Sequence, residues 1–157
     1  MGDTFPKLRL SSSDGRELTL PRDLDRPFSV VLINRGAWCP YCTAQLTAFQ
    51  AGLPKLAARG IGVVSLSADT RVNMQQLVRK HGLEFPVAGD APLDAIAEQL
   101  GVYYQPASER MPAYLHAAGF VLGGSGEVLT AVYSSGAIGR LVWQDVLGFV
   151  EYIKAHA

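Results

Sequence analysis

The chain has two cysteines, and both lie in one tetrapeptide, Cys39-Pro40-Tyr41-Cys42. A C-x-x-C pair either donates half of a zinc site or cycles between dithiol and disulfide. A zinc site needs two further ligands, but there is no third cysteine, and His81, His116 and His156 show no paired spacing. The pair is therefore read as redox-active, with no metal and no other cofactor expected. Phe28 to Asn34 (FSVVLIN) is an apolar, β-branched run of strand length, and Pro40 stands where a first-turn proline opens a helix without penalty. Cys39 thus falls between a buried strand and a helix N-terminus, where unpaired backbone N–H groups and the helix dipole favour thiolate over thiol. Cys42, within the first turn on the same side, can reach Cys39 to form a disulfide. Cys39 is the expected nucleophile and Cys42 the resolving thiol.

The surrounding pattern supplies the elements that must hold this junction. Leu8, Leu10, Leu18 and Leu20 alternate with polar residues around Ser11-Ser12-Ser13-Asp14-Gly15, which predicts a hairpin at a sheet edge. After Pro40 the spacing of Leu46, Phe49 and Leu53 predicts a helix, with Gly52 and Pro54 expected to kink or break it and Gly60 to end it. Gly62 to Ser67 reads as a second buried strand. A helix capped by Asp69 or Thr70 follows, running to Lys80 and ended by Gly82. Phe85 to Ala88 is a short strand, and a helix runs from about Pro92 to Leu100 with Gly101 as its stop. Residues 102–118 carry no assignable pattern. Phe120 to Leu122 and Glu127 to Tyr133 flank the turn Gly123-Gly124-Ser125-Gly126 as a hairpin, and Val142 to Lys154 is an amphipathic helix. The glycine-rich turn is not followed by Lys-Ser or Lys-Thr, so it is a hairpin turn and not a phosphate loop. The order implies an α/β sandwich with a mixed central sheet flanked by helices and an N-terminal β-hairpin, in a single domain spanning residues 1–157.

Composition excludes several functions. Fourteen basic residues balance 14 acidic ones, so the formal net charge is zero. No basic run or long-range field is present to collect phosphates, and neither nucleic acid nor a membrane is an expected partner. No signal-like segment opens the chain and no apolar run approaches the ~20 residues that span a bilayer, which points to a cytoplasmic location.

The segments LRLSSSDGRELTL, SVVLINRGAWCPYC, LAARGIGVVSLSADT, HGLEFPVAGDAPLDAIAEQLGV and GFVLGGSGEVLTAVYSSGAIGR lie between residues 8 and 140 and carry a resemblance over roughly residues 5 to 155. Trp38-Cys39-Pro40-Tyr41-Cys42 resembles the active site of the thioredoxin-like superfamily, with the Pro-Tyr dipeptide of glutaredoxins. Over its length the chain resembles a peroxiredoxin-type redoxin of the alkyl hydroperoxide reductase C and thiol-specific antioxidant (AhpC/TSA) family. The resemblance implies a thioredoxin-like fold, with Cys39 in the place of the peroxidatic cysteine. It also implies that Arg140, in Ala137-Ile138-Gly139-Arg140, steadies the thiolate and the peroxide; the residue-level alternative is a pair with Asp145. The chain departs from the family at Gly36, where peroxiredoxins carry Thr or Ser, and in lacking their upstream proline. It also lacks a proline at Ala117-Ala118, the slot of the thioredoxin cis-proline.

Three catalytic candidates follow, Cys39, Cys42 and Arg140, with Trp38, Pro40, Tyr41 and Arg35 as candidate substrate-binding residues. Arg35 is either a second cation at the site or a solvated loop arginine. Trp38 is expected to form a wall beside the cysteines, and Tyr41 is forced outward by the motif. Three functions stay open: a peroxidase, a thioredoxin- or glutaredoxin-like disulfide reductase, and a redox sensor. The implied partners are a peroxide or disulfide substrate and thioredoxin, glutaredoxin or glutathione as reductant. Homodimerisation is open.

Overall fold

The computed structural model describes residues 2–157. Its elements are β1 (Leu8–Ser12), β2 (Glu17–Leu20), β3 (Phe28–Ile33), α1 (Pro40–Ala58), β4 (Ile61–Leu66), α2 (Arg71–His81), β5 (Val87–Gly89), α3 (Leu93–Leu100), β6 (Tyr104–Gln105), β7 (Tyr114–Leu115), β8 (Ala118–Gly123), β9 (Val128–Tyr133) and α4 (Trp143–Ala155). Seven strands form one sheet in the order β2-β1-β5-β4-β3-β8-β9. β4 runs parallel to β3 and to β5, while β8 lies antiparallel to β3 and β9 antiparallel to β8. The N-terminal hairpin closes one edge by pairing β1 with β5. This is the mixed α/β sandwich that the alternating pattern predicts.

The uninterrupted apolar run of β3 follows from its position, since both faces of the sheet are covered. Val31 and Ile33 point into one apolar layer with Leu8, Leu20, Val64, Leu66, Ile96 and Phe120. Val30 and Leu32 point into the other, under the helices, with Leu46, Phe49, Met74, Val121 and Val150. The end of β3 is thereby fixed on both sides, and the loop that follows it starts from a rigid point. Among the described residues no helix is long and apolar enough to cross a membrane.

Two readings of the sequence are corrected. α1 neither breaks nor ends at Gly52 and Pro54; it continues through both to Ala58. Pro54 lies on the exposed side of the helix and lacks the N–H that would otherwise meet the Gln50 carbonyl. Gly52 is a packing device: a Cβ there would sit 2.3 Å from the Trp143 indole, so the missing side chain lets α4 lie close against α1. The segment from 102 to 118 is not patternless either. Tyr104–Gln105 and Tyr114–Leu115 pair as a separate two-stranded ribbon, too short for period-2 alternation to register.

Candidate active site

The site is assembled where β3 gives way to α1. Cys39 is the N-cap of α1, in extended conformation, and its sulfur accepts a hydrogen bond from the Cys42 N–H at 3.3 Å. It is thus an N-cap in which sulfur replaces the usual oxygen, on one of the four N–H groups a helix start leaves free. The loop before it is pinned from the side. Asp69 Oδ2 accepts from the Ala37 N–H at 3.0 Å, while Asp69 Oδ1 accepts from Asn73 Nδ2 at 2.8 Å and from the Thr70 N–H. Thr70, as N-cap of α2, accepts from the Asn73 N–H, so the clamp on the loop stands on a capped helix.

Both sulfurs are sealed, Cys39 at 0% exposure and Cys42 at 1%. Their polar neighbours are donors. The Arg140 Nη2 reaches Cys42 Sγ at 3.1 Å and Cys39 Sγ at 3.6 Å, so one guanidinium nitrogen spans the pair. Arg35 contributes twice, through its backbone N–H to Cys42 Sγ at 3.2 Å and its Nη1 to Cys39 Sγ at 3.8 Å. Burial pushes the Cys39 thiol up, but the Cys42 thiol and N–H donated to its sulfur, with the Arg140 and Arg35 charges, outweigh burial and hold it below the ordinary thiol value. For Cys42, burial and its bond to Cys39 prevail over the Arg35 N–H and Arg140, and its thiol is pushed up to about 11. Two cysteines three residues apart are therefore shifted in opposite directions, Cys39 toward the thiolate and Cys42 toward the thiol.

The arginines are themselves held. Arg140 donates through Nε to the Ala137 carbonyl at 2.8 Å and through Nη1 to Gln45 Oε1 at 2.9 Å, and Gln45 Nε2 donates to the Leu141 carbonyl. That leaves Nη2 aimed at the sulfurs. None of these bonds goes to Asp145. Arg35 lies against the rings of Trp38 and Tyr114, 4.9 and 5.2 Å from their centroids, and its Nη2 bonds the Tyr114 hydroxyl. Its charge is turned inward to the site. Trp38 packs edge-on against Tyr114 at 4.9 Å and stays 43% exposed, and Tyr114 in turn meets buried His116. Burial, followed by the Arg35 charge, lowers the His116 pKa.

Of the sequence candidates, Cys39, Cys42, Arg140, Arg35 and Trp38 converge. Pro40 and Tyr41 face outward, Tyr41 at 52% exposure, and reach no sulfur. Gln45, Asp69, Tyr114 and His116 join the site without having been singled out for it. Gln45 carries a legible signal, since it stands three residues after Cys42 on the same helical face. Tyr114 and His116 carry none. Gly36 has its own reason: φ is +151°, and a Cβ would lie 2.4 Å from the Trp38 Nε1 and 3.1 Å from Asp69 Oδ2. A Thr or Ser here would displace the indole and press on the aspartate that pins the loop, so the departure from the family pattern is built into the loop.

The sequence matches the family model described as "AhpC/TSA family" over residues 1–123, which includes both cysteines and stops short of Arg140. A curated peroxiredoxin of Treponema denticola is 28% identical over 144 residues, covering 89% of this chain and 67% of that protein. The chain spans about two-thirds of the length of this relative and of a second, 25% identical peroxiredoxin from Methanothermobacter thermautotrophicus. Among solved structures, peroxidoxin BcpB from Mycobacterium tuberculosis superposes with a TM-score of 0.82 at 19% identity, over 97% of this chain and 96% of that one. A mutant peroxiredoxin 6 of Arenicola marina gives 0.81 at 18% identity, over 98% and 73%. At these identities the likeness is one of fold, and the fold is the thioredoxin-like sandwich of these peroxiredoxins.

Proposed function

The chain belongs to the AhpC/TSA family, and from that membership we propose that it is a thiol-dependent peroxidase with Cys39 as the attacking thiolate and Cys42 as the resolving thiol. The observation that supports this most is the opposed shift of the two thiols, Cys39 down and Cys42 up, across one turn of an unbroken helix. In the first step the Cys39 thiolate attacks one peroxide oxygen. The O–O bond breaks, Cys39 becomes a sulfenic acid, and the other oxygen leaves as an alcohol or water after taking a proton. Arg140 and Arg35, both within hydrogen-bond reach of Cys39 Sγ, would stabilise the charge moving from sulfur to the leaving oxygen. In the second step the Cys42 sulfur attacks the Cys39 sulfur, water departs and the Cys39–Cys42 disulfide forms. A dithiol such as thioredoxin or glutaredoxin, or two molecules of glutathione, supplies two electrons to restore both thiols.

The sealed sulfurs set a condition on this cycle. With Cys39 out of contact with solvent, the wall formed by Arg35, Trp38 and Tyr114, or Arg140 opposite it, must shift to admit a substrate. A peroxide asks little of that movement and a protein disulfide asks much more, which favours the peroxidase over the disulfide-reductase reading. The test is Cys42→Ser treated with one equivalent of peroxide. It should accumulate a sulfenic acid, seen by mass as one added oxygen on Cys39, where the wild type gives only the disulfide. A stable oxygen adduct on any other residue, or none at all, would overturn the assignment.

A further inference from the structure

A second feature lies beside the cysteine loop. Between the start of α1 and the side of α2 runs a groove of about 460 Å³, lined by Ala37, Trp38, Pro40 and Thr43 on one wall and by Asn73, Gln76, Leu77, Lys80 and His81 on the other. Its volume lies within the range of small-molecule sites. Asn73, Gln76 or Leu77, and Lys80 follow the helical period, so one face of α2 supplies amide donors and then a cation along the groove. One end is formed by Trp38 and Pro40, the two neighbours of Cys39. The other end carries Lys80 and His81, and no carboxylate lines the groove. The contrast is with the cavity at the opposite end of the strands, whose lining includes Asp23, Asp25 and Glu84.

We propose that this groove seats the reductant, and that the reductant is a small thiol carrying carboxylates, its anionic end at Lys80 and its sulfur beside Trp38 and Pro40. The proposal rests on the reading of Cys39 and Cys42 as a cycling pair. The bound thiolate attacks the Cys39 sulfur, the Cys39–Cys42 bond breaks, and Cys42 leaves as a thiolate that at once takes up a proton, its thiol being held at about 11. A second thiolate then attacks the small-molecule sulfur of the mixed disulfide. Cys39 is released as thiolate, and two thiols have become one disulfide, which balances the two electrons.

The probe is glutathione. The protein is first oxidised with diamide, so that the outcome does not depend on peroxide being the oxidising substrate. Reduction of the disulfide is then followed with glutathione, with its carboxylate esters and with uncharged dithiothreitol, in wild type and Lys80→Glu. Wild type should be reduced faster by glutathione than by its esters. Lys80→Glu should lose about fivefold with glutathione, in keeping with reversal of one exposed charge, and the loss should shrink in high salt. Dithiothreitol should reduce both proteins equally, which shows the disulfide to be intact in the variant. Equal glutathione rates in the two proteins, equal rates for glutathione and its esters, or efficient reduction by a protein dithiol alone would each overturn the proposal.

Discussion

The difference between the two sulfurs turns on burial and on the Cys42 thiol donated to Cys39, which lowers one and raises the other, while Arg140 favours the thiolate at both. The Arg140 Nη2 touches both sulfurs, and its charge helps hold Cys39 below the ordinary thiol value while only tempering the rise at Cys42. Arg140→Met should raise the Cys39 thiol toward its ordinary value, and because the thiolate is the nucleophile, the rate with peroxide at neutral pH should fall. Loss of one donor aimed at the reacting atoms is worth on the order of 100–1,000-fold. Ultraviolet thiolate absorbance against pH checks the first effect, and an unchanged titration would remove Arg140 from the site. At this scale the sequence was legible where a residue type allows one kind of chemistry, as with two cysteines three apart. It was not legible for Tyr114 and His116, since nothing local marks a tyrosine whose hydroxyl meets Arg35 across 79 positions. The reason for Gly36 was hidden as well, because the indole that fills its side-chain volume belongs to a ring whose rotamer only the folded loop defines.

At the scale of elements, α1 carries the site at one end and a tight helix contact further along. Its buried residues, Cys42, Leu46, Phe49, Gly52 and Leu56, form one stripe, so the helix that holds the redox pair is the one that packs on the sheet. The spacing revealed that stripe, but propensity misjudged Gly52 and Pro54: close packing against Trp143 overrides the local cost of the glycine, and the helix continues through the exposed proline. Gly52→Leu improves helix propensity while forcing a side chain into the indole. It should cost about 1–3 kcal/mol in a denaturant melt, as overpacking does. The contact lies about three turns from Cys39 and touches no sulfur, so the Cys39 titration should stay as in wild type. A variant as stable as wild type would mean that α4 is not seated by this contact.

For the whole molecule, the sheet matters because it ends β3 between two apolar layers and sets the loop after β9 beside it. Cys39 comes from the end of β3, Arg140 from the segment beyond β9, and β8 bridges them by pairing with both strands. Elements distant in sequence are thus brought to one end of the sheet, and a formal net charge of zero conceals two arginines focused on two sulfurs. The central claim is that this focused charge makes Cys39 a peroxide-reactive thiolate. The direct test is rapid mixing of the reduced protein with hydrogen peroxide while following tryptophan fluorescence, across pH and beside free cysteine. Oxidation should far outpace that of the free thiol at neutral pH, level off above the lowered Cys39 value as the thiolate becomes complete, and vanish in Cys39→Ser. A rate no better than free cysteine, or one that rises only through the ordinary thiol range, would contradict the account.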